Sequence, residues 1–258
     1  MLPIVDKPAL QYIVEEAVES GIEEILIVTG RNKNCIEDHF DKSVVLERVL
    51  EKKGDVKNLE EVRRVSDMAT IYYVRQKEPK GLANAIECAK NFIGEDEYFA
   101  ILLGDDIIDS NKPCLKQLMD IHSRYSTSVI GVQDINKKAV SKYGIIEPLE
   151  VEEGIYKVRS LVEKPSKKAP SNKGIMGRYI LSSKIFDLIE NQEPGINNEV
   201  HLTDAINYLL ELTSVYACDI SGKKYDLGNK LDYIEANIDF ALKRTELKDG
   251  LLKIIKSK

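Results

Sequence analysis

The stretch that most restricts the fold is Tyr98 to Asp109, YFAILLGDDIID. Its apolar run, Phe99-Ala100-Ile101-Leu102-Leu103, is short enough for a strand and has almost no polar face. Such a run fits a strand covered on both sides by helices, as in a parallel sheet. It ends at Gly104, and two carboxylates follow at once, Asp105 and Asp106. In open α/β sheets, ligands lie just beyond the carboxyl ends of strands, where a turn presents side chains to a crevice. Hard oxygen ligands there suit Mg²⁺ on a phosphate substrate. The same two residues fit equally well as one aspartate capping the next turn and one in solvent.

The length of 258 residues allows one large α/β domain or two small ones. A net charge of −6 argues against a general nucleic-acid binder, which would show a basic face. The four cysteines, Cys35, Cys88, Cys114 and Cys218, form no C-x-x-C pair and are expected to be buried thiols in a reducing compartment. The three histidines are far apart in sequence and form no ligand-spaced motif, and His122 is expected to be packed rather than ligating. No apolar run approaches the ~18 residues of a membrane span, and no basic-then-apolar signal opens the chain. The expectation is a cytoplasmic protein that binds neither nucleic acid nor membrane.

Leu10, Ile13, Val14, Ala17 and Val18 predict a helix started near Asp6 and Pro8 and stopped by Gly21. Glu24 to Gly30 predicts a buried strand, residues 31 to 69 charge-rich helices with stripes at Leu46, Val49, Leu50 and at Leu59, Val62, Val65, and Thr70 to Arg75 another strand. A helix through Leu82, Ala85, Ile86 and Ala89 follows. After the central strand-turn-strand, Pro113 opens a helix with Leu115, Leu118 and Met119, and Thr127 to Asp134 is a strand. From Tyr143 strands alternate without helices, with a hairpin turn at Glu150 to Gly154. Ser182 or Ser183 is expected to cap a short helix through Ile185, Leu188 and Ile189. Helices at Leu202 to Leu209 and Leu231 to Leu242 flank a strand at Ser214 to Ile220. With no linker in sight, residues 1–258 read as one domain, with a nucleotide-like first half at 1–135 and a mixed second half with the last helix at 136–258.

Four places at predicted strand ends offer chemistry. Gln76 carries both a donor and an acceptor, and Gly81 admits a flat ring close to the backbone. Asp105 offers oxygen to a metal. Glu163-Lys164 sets an acceptor for sugar hydroxyls beside an ammonium for a phosphate. Asp226 offers a second oxygen from a distant part of the chain. Taken singly, each reads better as a surface or turn residue.

In order and spacing, MLPIVDKPALQYIVEEAVESGIEEILIVTGR, VRQKEPKGLANAI, FAILLGDDI, KYGIIEP, LVEKP, GIMGRYIL, LTDAI and YDLGNKLDYIEANIDFALK resemble the bacterial UTP–glucose-1-phosphate uridylyltransferases, a branch of the sugar-phosphate nucleotidyltransferases. The resemblance implies a Rossmann-like mixed, mostly parallel sheet with helices on both faces and a small β-hairpin subregion. It implies uridylyl transfer from UTP to glucose-1-phosphate with Mg²⁺, giving UDP-glucose and pyrophosphate for carbohydrate metabolism, in a dimer or tetramer. It places Gln76 and Gly81 at the uracil, Gly144, Glu163 and Gly177 around the glucosyl ring, and Lys164 at the sugar phosphate. Asp105 and Asp226 fall at the metal, with Asp106 the rival to Asp105; Asp105 and Lys164 are the catalytic pair.

Several features depart from that pattern. The family's first strand, its G-x-G-T-R loop and the lysine before MLP are not in the sequence, so a truncated gene model or fragment with impaired turnover is expected. Ala83-Asn84 stands where the family has Gly-His, and Asn197-Asn198 where it has Gly-Gly. The competing expectations are an inactive sugar-nucleotide-binding fragment and a nucleotidyltransferase using dTTP or CTP.

Overall fold

In the computed structural model, which describes residues 1–166, 168–193 and 199–257, the stretch Tyr98 to Asp109 is a strand, a turn and a second strand. The chain opens with β1 (Pro3–Ile4) and β2 (Lys7–Pro8), then α1 (Ala9–Glu19) and β3 (Glu24–Thr29). Three helices follow, α2 (Asn34–Phe40), α3 (Val44–Lys53) and α4 (Val56–Ser66), then β4 (Thr70–Arg75) and the short α5 (Leu82–Glu87). The central pair is β5 (Tyr98–Leu102) and β6 (Asp106–Asp109), succeeded by α6 (Cys114–Tyr125) and β7 (Ser128–Asp134). The hairpin is β8 (Gly144–Glu152) with β9 (Ile155–Glu163), and β10 (Lys173–Ser182) leads to α7 (Ile185–Glu190). Last come α8 (Leu202–Leu212), β11 (Val215–Asp219), β12 (Lys223–Asp226), α9 (Lys230–Leu242) and α10 (Thr245–Lys256).

Six strands form the main sheet in the order β5-β10-β7-β11-β9-β8. Within it β7 and β11 run parallel and the other neighbours antiparallel, while β3 and β4 form a separate parallel pair. All ten residues of β10 are buried, as a strand in mid-sheet under helices on both faces requires. Alternation along β7 shows the layering: Ile130 and Val132 join one core with α5, α7 and α8, and Val129 joins the other with α1 and α6. The architecture is the expected mixed α/β sheet with helices on both faces, although antiparallel neighbours outnumber the parallel ones among the described strands. β5 pairs only with β10 and β3 only with β4 among the described residues, yet Ile25, Ala100 and Leu102 touch one shared core.

Some elements differ from the sequence expectation. Lys223–Asp226 is a strand, β12, paired antiparallel with β6; its one buried side chain, Tyr225, leaves no apolar run to read. Thr245–Lys256 forms a further helix beyond the one expected at the end. Leu46 and Val49 face solvent, because α4 rather than α3 supplies the buried Leu59 and Val65. On α9 it is Ala236, flanked by Tyr233 and Phe240, that packs inward, and Leu231 and Ile234 are exposed. The short helix α7 has Lys184 at its start with no side-chain cap, and Ser182 Oγ accepts from the Lys184 N–H. Cys114 and Cys218 are buried as expected, but Cys88 is half-buried and Cys35 is exposed. His122 is packed against Tyr98 and donates from Nδ1 to the Thr127 carbonyl. No helix among the described residues is long and apolar enough to cross a membrane.

Candidate active site

The turn Leu103 to Asp106 joins β5 to β6, and β12 pairs with β6 so that Asp226 lies opposite Asp106. The Leu227 N–H donates to the Asp105 carbonyl at 2.8 Å, which brings Asp105 and Asp226 to one rim of the sheet. The two neighbouring aspartates have different surroundings. Asp105 is exposed, whereas Asp106 is buried and its Oδ1 meets Lys224 Nζ at 2.9 Å. Burial pushes the Asp106 carboxyl up to about 6 in spite of that ammonium. Asp106 is thus occupied inside the protein, and Asp105 is the outward carboxylate.

The turn is fixed from beneath. Arg178 is fully buried and donates from Nη2 to the Asp106 carbonyl at 2.9 Å and to Glu16 Oε2 at 2.7 Å, with longer contacts from Nη1 to Leu103 and Gly177. Gly177 itself has φ +75°, in the left-handed region that favours glycine. A Cβ there would collide with Asp106 Oδ2 and crowd Leu103.

On the hairpin side, Gly144 at the start of β8 pairs with Glu163 at the end of β9. Thr203 at the start of α8 donates its hydroxyl to Glu163 Oε2 at 3.3 Å, and a Cβ on Gly144 would press on Thr203, Ile175 and that same oxygen. Lys164 follows with φ +40°, an uncommon backbone for a long side chain. It is held there by its N–H on the Tyr143 carbonyl, and its Nζ lies 3.4 Å from Glu163 Oε1 with most of the side chain in solvent. The Tyr143 ring lies 5.2 Å from Lys224 Nζ, which ties this corner to Asp106.

Gln76 stands just past β4, and Gly81, with φ +103°, immediately precedes α5. Lys80 and Ala83 exchange backbone hydrogen bonds with Val200, so the stretch 199–203 runs from the Gly81 turn to the Glu163 corner. Gln76 Nε2 donates to Asn84 Oδ1 at 2.9 Å, and Asn84 Nδ2 to Glu87 Oε2 at 3.1 Å. Asn197 and Asn198 lie outside the described residues.

Contacts of their neighbours Leu103, Asp106 and Leu227 bring Asp105, Asp226 and Gly177 to one turn, while Gly144, Glu163 and Lys164 are linked to one another and Gln76 to Gly81. Thr203, Tyr143, Lys224 and the Glu16–Arg178 pair were not singled out from sequence. Charged residues in helical or strand patterns read as solvated faces, and no periodicity marks which ones turn inward. Among the described residues no three His, Cys, Asp or Glu side chains converge on a metal-sized point. Two carboxylates on one rim nevertheless match a hard cation that takes its remaining oxygens from water and phosphate.

A sequence model of the family described as "Nucleotidyl transferase" matches residues 1–242. UTP–glucose-1-phosphate uridylyltransferase of Bacillus subtilis (strain 168) is 53% identical over 253 residues, 98% of this chain and 86% of the relative. The protein of that name from Staphylococcus haemolyticus (strain JCSC1435) is 53% identical over 257 residues, 99% of this chain and 89% of the relative. A crystal structure of UDP-glucose pyrophosphorylase complexed with UDP-glucose matches with TM-score 0.86 at 40% identity, covering 95% of this chain and 90% of that one. UTP-bound UGPase from Acinetobacter baumannii matches with TM-score 0.89 at 34% identity, covering 99% and 90%.

Proposed function

The chain belongs to the nucleotidyl transferase family, among its bacterial UTP–glucose-1-phosphate uridylyltransferases, and from that premise we propose that it moves a uridylyl group from UTP to glucose-1-phosphate. The observation that carries the proposal is the meeting of Asp105 and Asp226, from distant parts of the chain, at one rim beside the Gly177 and Lys224 corner.

In this reaction a phosphate oxygen of the sugar phosphate bonds to the α-phosphorus of UTP. The bond from that phosphorus to the bridging oxygen breaks, and pyrophosphate leaves in line with UDP-glucose as the other product. Little covalent work falls to the protein, which must align two anions and offset their repulsion. Lys164 Nζ is proposed to meet the sugar phosphate, and Glu163 to accept from sugar hydroxyls, with Gly144 and Gly177 beside the glucosyl ring. Gln76 and Gly81 take the uracil. Asp105 and Asp226 would hold Mg²⁺, which when bound supplies positive charge against the phosphates. The work divides between a nucleotide-side half, residues 1–135, and a sugar-side half, residues 136–258.

Residues 1–258 contain no G-x-G-T-R loop, and their turnover alone is proposed to be low. The single-sided pairing of β3 and of β5 around a shared core supports room for one more strand between them. The test is UDP-glucose formation, with and without Mg²⁺, by a chain carrying a strand and such a loop ahead of Met1. Product formed from UTP and glucose-1-phosphate supports the proposal, and no product from the extended chain ends it.

A further inference from the structure

Glu87, Asn84 and Gln76 form a chain of hydrogen bonds whose direction is fixed by chemistry at one end. A carboxylate has no hydrogen to give, so Glu87 can only accept. Asn84 must then face it with Nδ2, at 3.1 Å, and turn Oδ1 toward Gln76. Gln76 must in turn face Asn84 with Nε2, at 2.9 Å. The second hydrogen of that amide has an acceptor of its own, the Gly81 carbonyl at 3.4 Å. Both N–H groups of Gln76 are thereby directed inside the protein, and its Oε1 is the part left for a ligand.

The platform beneath the relay is firm. Asn84 and Glu87 are three apart on α5, on neighbouring turns of one face. Ala83 and Ile86 bury the adjacent side of that helix in the main core, and the Ala83 N–H bonds to the Val200 carbonyl. The Cys88 thiol lies 3.4 Å from the Asn84 carbonyl as well.

We propose that Asn84 and Glu87 act as positioning residues that turn Gln76 into a pure acceptor, selecting pyrimidines with an N3–H (uracil and thymine) against cytosine. The inference rests on the reading of Gln76 as a base contact and deepens it. Uracil and thymine donate from N3, and Gln76 Oε1 accepts that hydrogen. Cytosine presents a lone pair at N3, and two acceptors facing each other leave both unpaired and repelling.

The test is equilibrium binding of UTP, dTTP and CTP to the 258-residue chain, which does not depend on turnover. The unaltered chain is expected to bind UTP and dTTP at least about tenfold more tightly than CTP. Asn84→Ala and Glu87→Ala are each expected to weaken UTP and dTTP about fivefold, the worth of one ordinary hydrogen bond, and CTP less, so that the preference shrinks. The double variant N84D/E87Q reverses the outer link, with the new amide at position 87 donating to the new carboxylate at position 84. That carboxylate still accepts from Gln76, so the variant is expected to keep the preference. Equal affinity for UTP and CTP in the unaltered chain overturns the proposal. So does an unchanged preference in Asn84→Ala and Glu87→Ala, or a lost one in N84D/E87Q. If Gln76→Ala changes neither UTP affinity nor preference, the base contact itself is wrong. If Gln76→Ala erodes the preference and Asn84→Ala does not, the base contact stands and the relay alone fails.

Discussion

Arg178 of β10 and Glu16 of α1 form an ion pair in the core, and the same guanidinium holds the carbonyl of Asp106. Glu16 Oε1 also accepts from the Leu115 N–H at 3.0 Å, so one buried pair joins two helices, a central strand and the aspartate turn. Removing either partner leaves a charge in the core without its counterpart. Glu16→Gln and Arg178→Met are each expected to destabilise the fold by about 3–5 kcal/mol. Urea unfolding checks this through the midpoint at constant slope; a midpoint within experimental scatter of the unaltered chain would show that the pair is dispensable.

The aspartates of the turn should separate into two phenotypes. Asp105→Asn and Asp226→Asn are expected to lower UDP-glucose formation by about 100-fold or more, since each weakens the hold on charge beside the reacting phosphates. Their melting temperatures should hardly move, because Asp105 is exposed and an asparagine at position 226 still accepts from the Gly228 N–H. Asp106→Asn should do the opposite at first order and lower the melting temperature, because Lys224 loses its counter-charge in a mostly buried pair. Paired rate and melting measurements on the three variants in the extended chain decide it.

Gly177→Ala introduces a methyl group where Asp106 Oδ2 and Leu103 already lie, in a backbone conformation that favours glycine. The aspartate turn must then shift. A loss of about 100-fold in rate is expected from displacement on the ångström scale, with a stability cost of about 1–3 kcal/mol. A Gly177→Ala chain with full activity would mean that the turn geometry does not matter to the chemistry.

Lys164 combines a charge with an uncommon backbone, and two substitutions separate them. Asparagine tolerates the left-handed region and alanine does so less readily. Lys164→Asn is expected to keep stability yet raise the KM for glucose-1-phosphate about tenfold or more, through loss of the ammonium. Lys164→Ala should show the same rise and in addition lose about 1 kcal/mol of stability. Equal melting of the two variants would remove the backbone argument, and an unchanged KM would remove the phosphate contact.

Much of the fold was legible because apolar periodicity records burial. Tyr98 to Leu102 and Thr70 to Arg75 are strands where β-branched and aromatic runs placed them, and the stripe of Ile13, Val14 and Ala17 does face the core. The strand at Lys223–Asp226 was not legible, since only Tyr225 is buried and pairing with β6 makes it a strand. The exposed Leu46 and Val49 show the converse, an apolar stripe without a partner face. At the candidate site, residue types and order could be read, but not direction. That Asp106 points inward to Lys224, or that the Gln76 amide is turned by Asn84, depends on neighbours brought in by tertiary packing.

The antiparallel pairing of β6 with β12 has a consequence for how the molecule assembles. Asp106 and Asp226 are paired although the elements from α6 to β11 lie between them in the chain. Closing so long a loop carries an entropic cost that earlier contacts must already offset. The rim that gathers the acids therefore leans on contacts made elsewhere in the chain, and an assembly lacking them would show its strands without bringing the acids together.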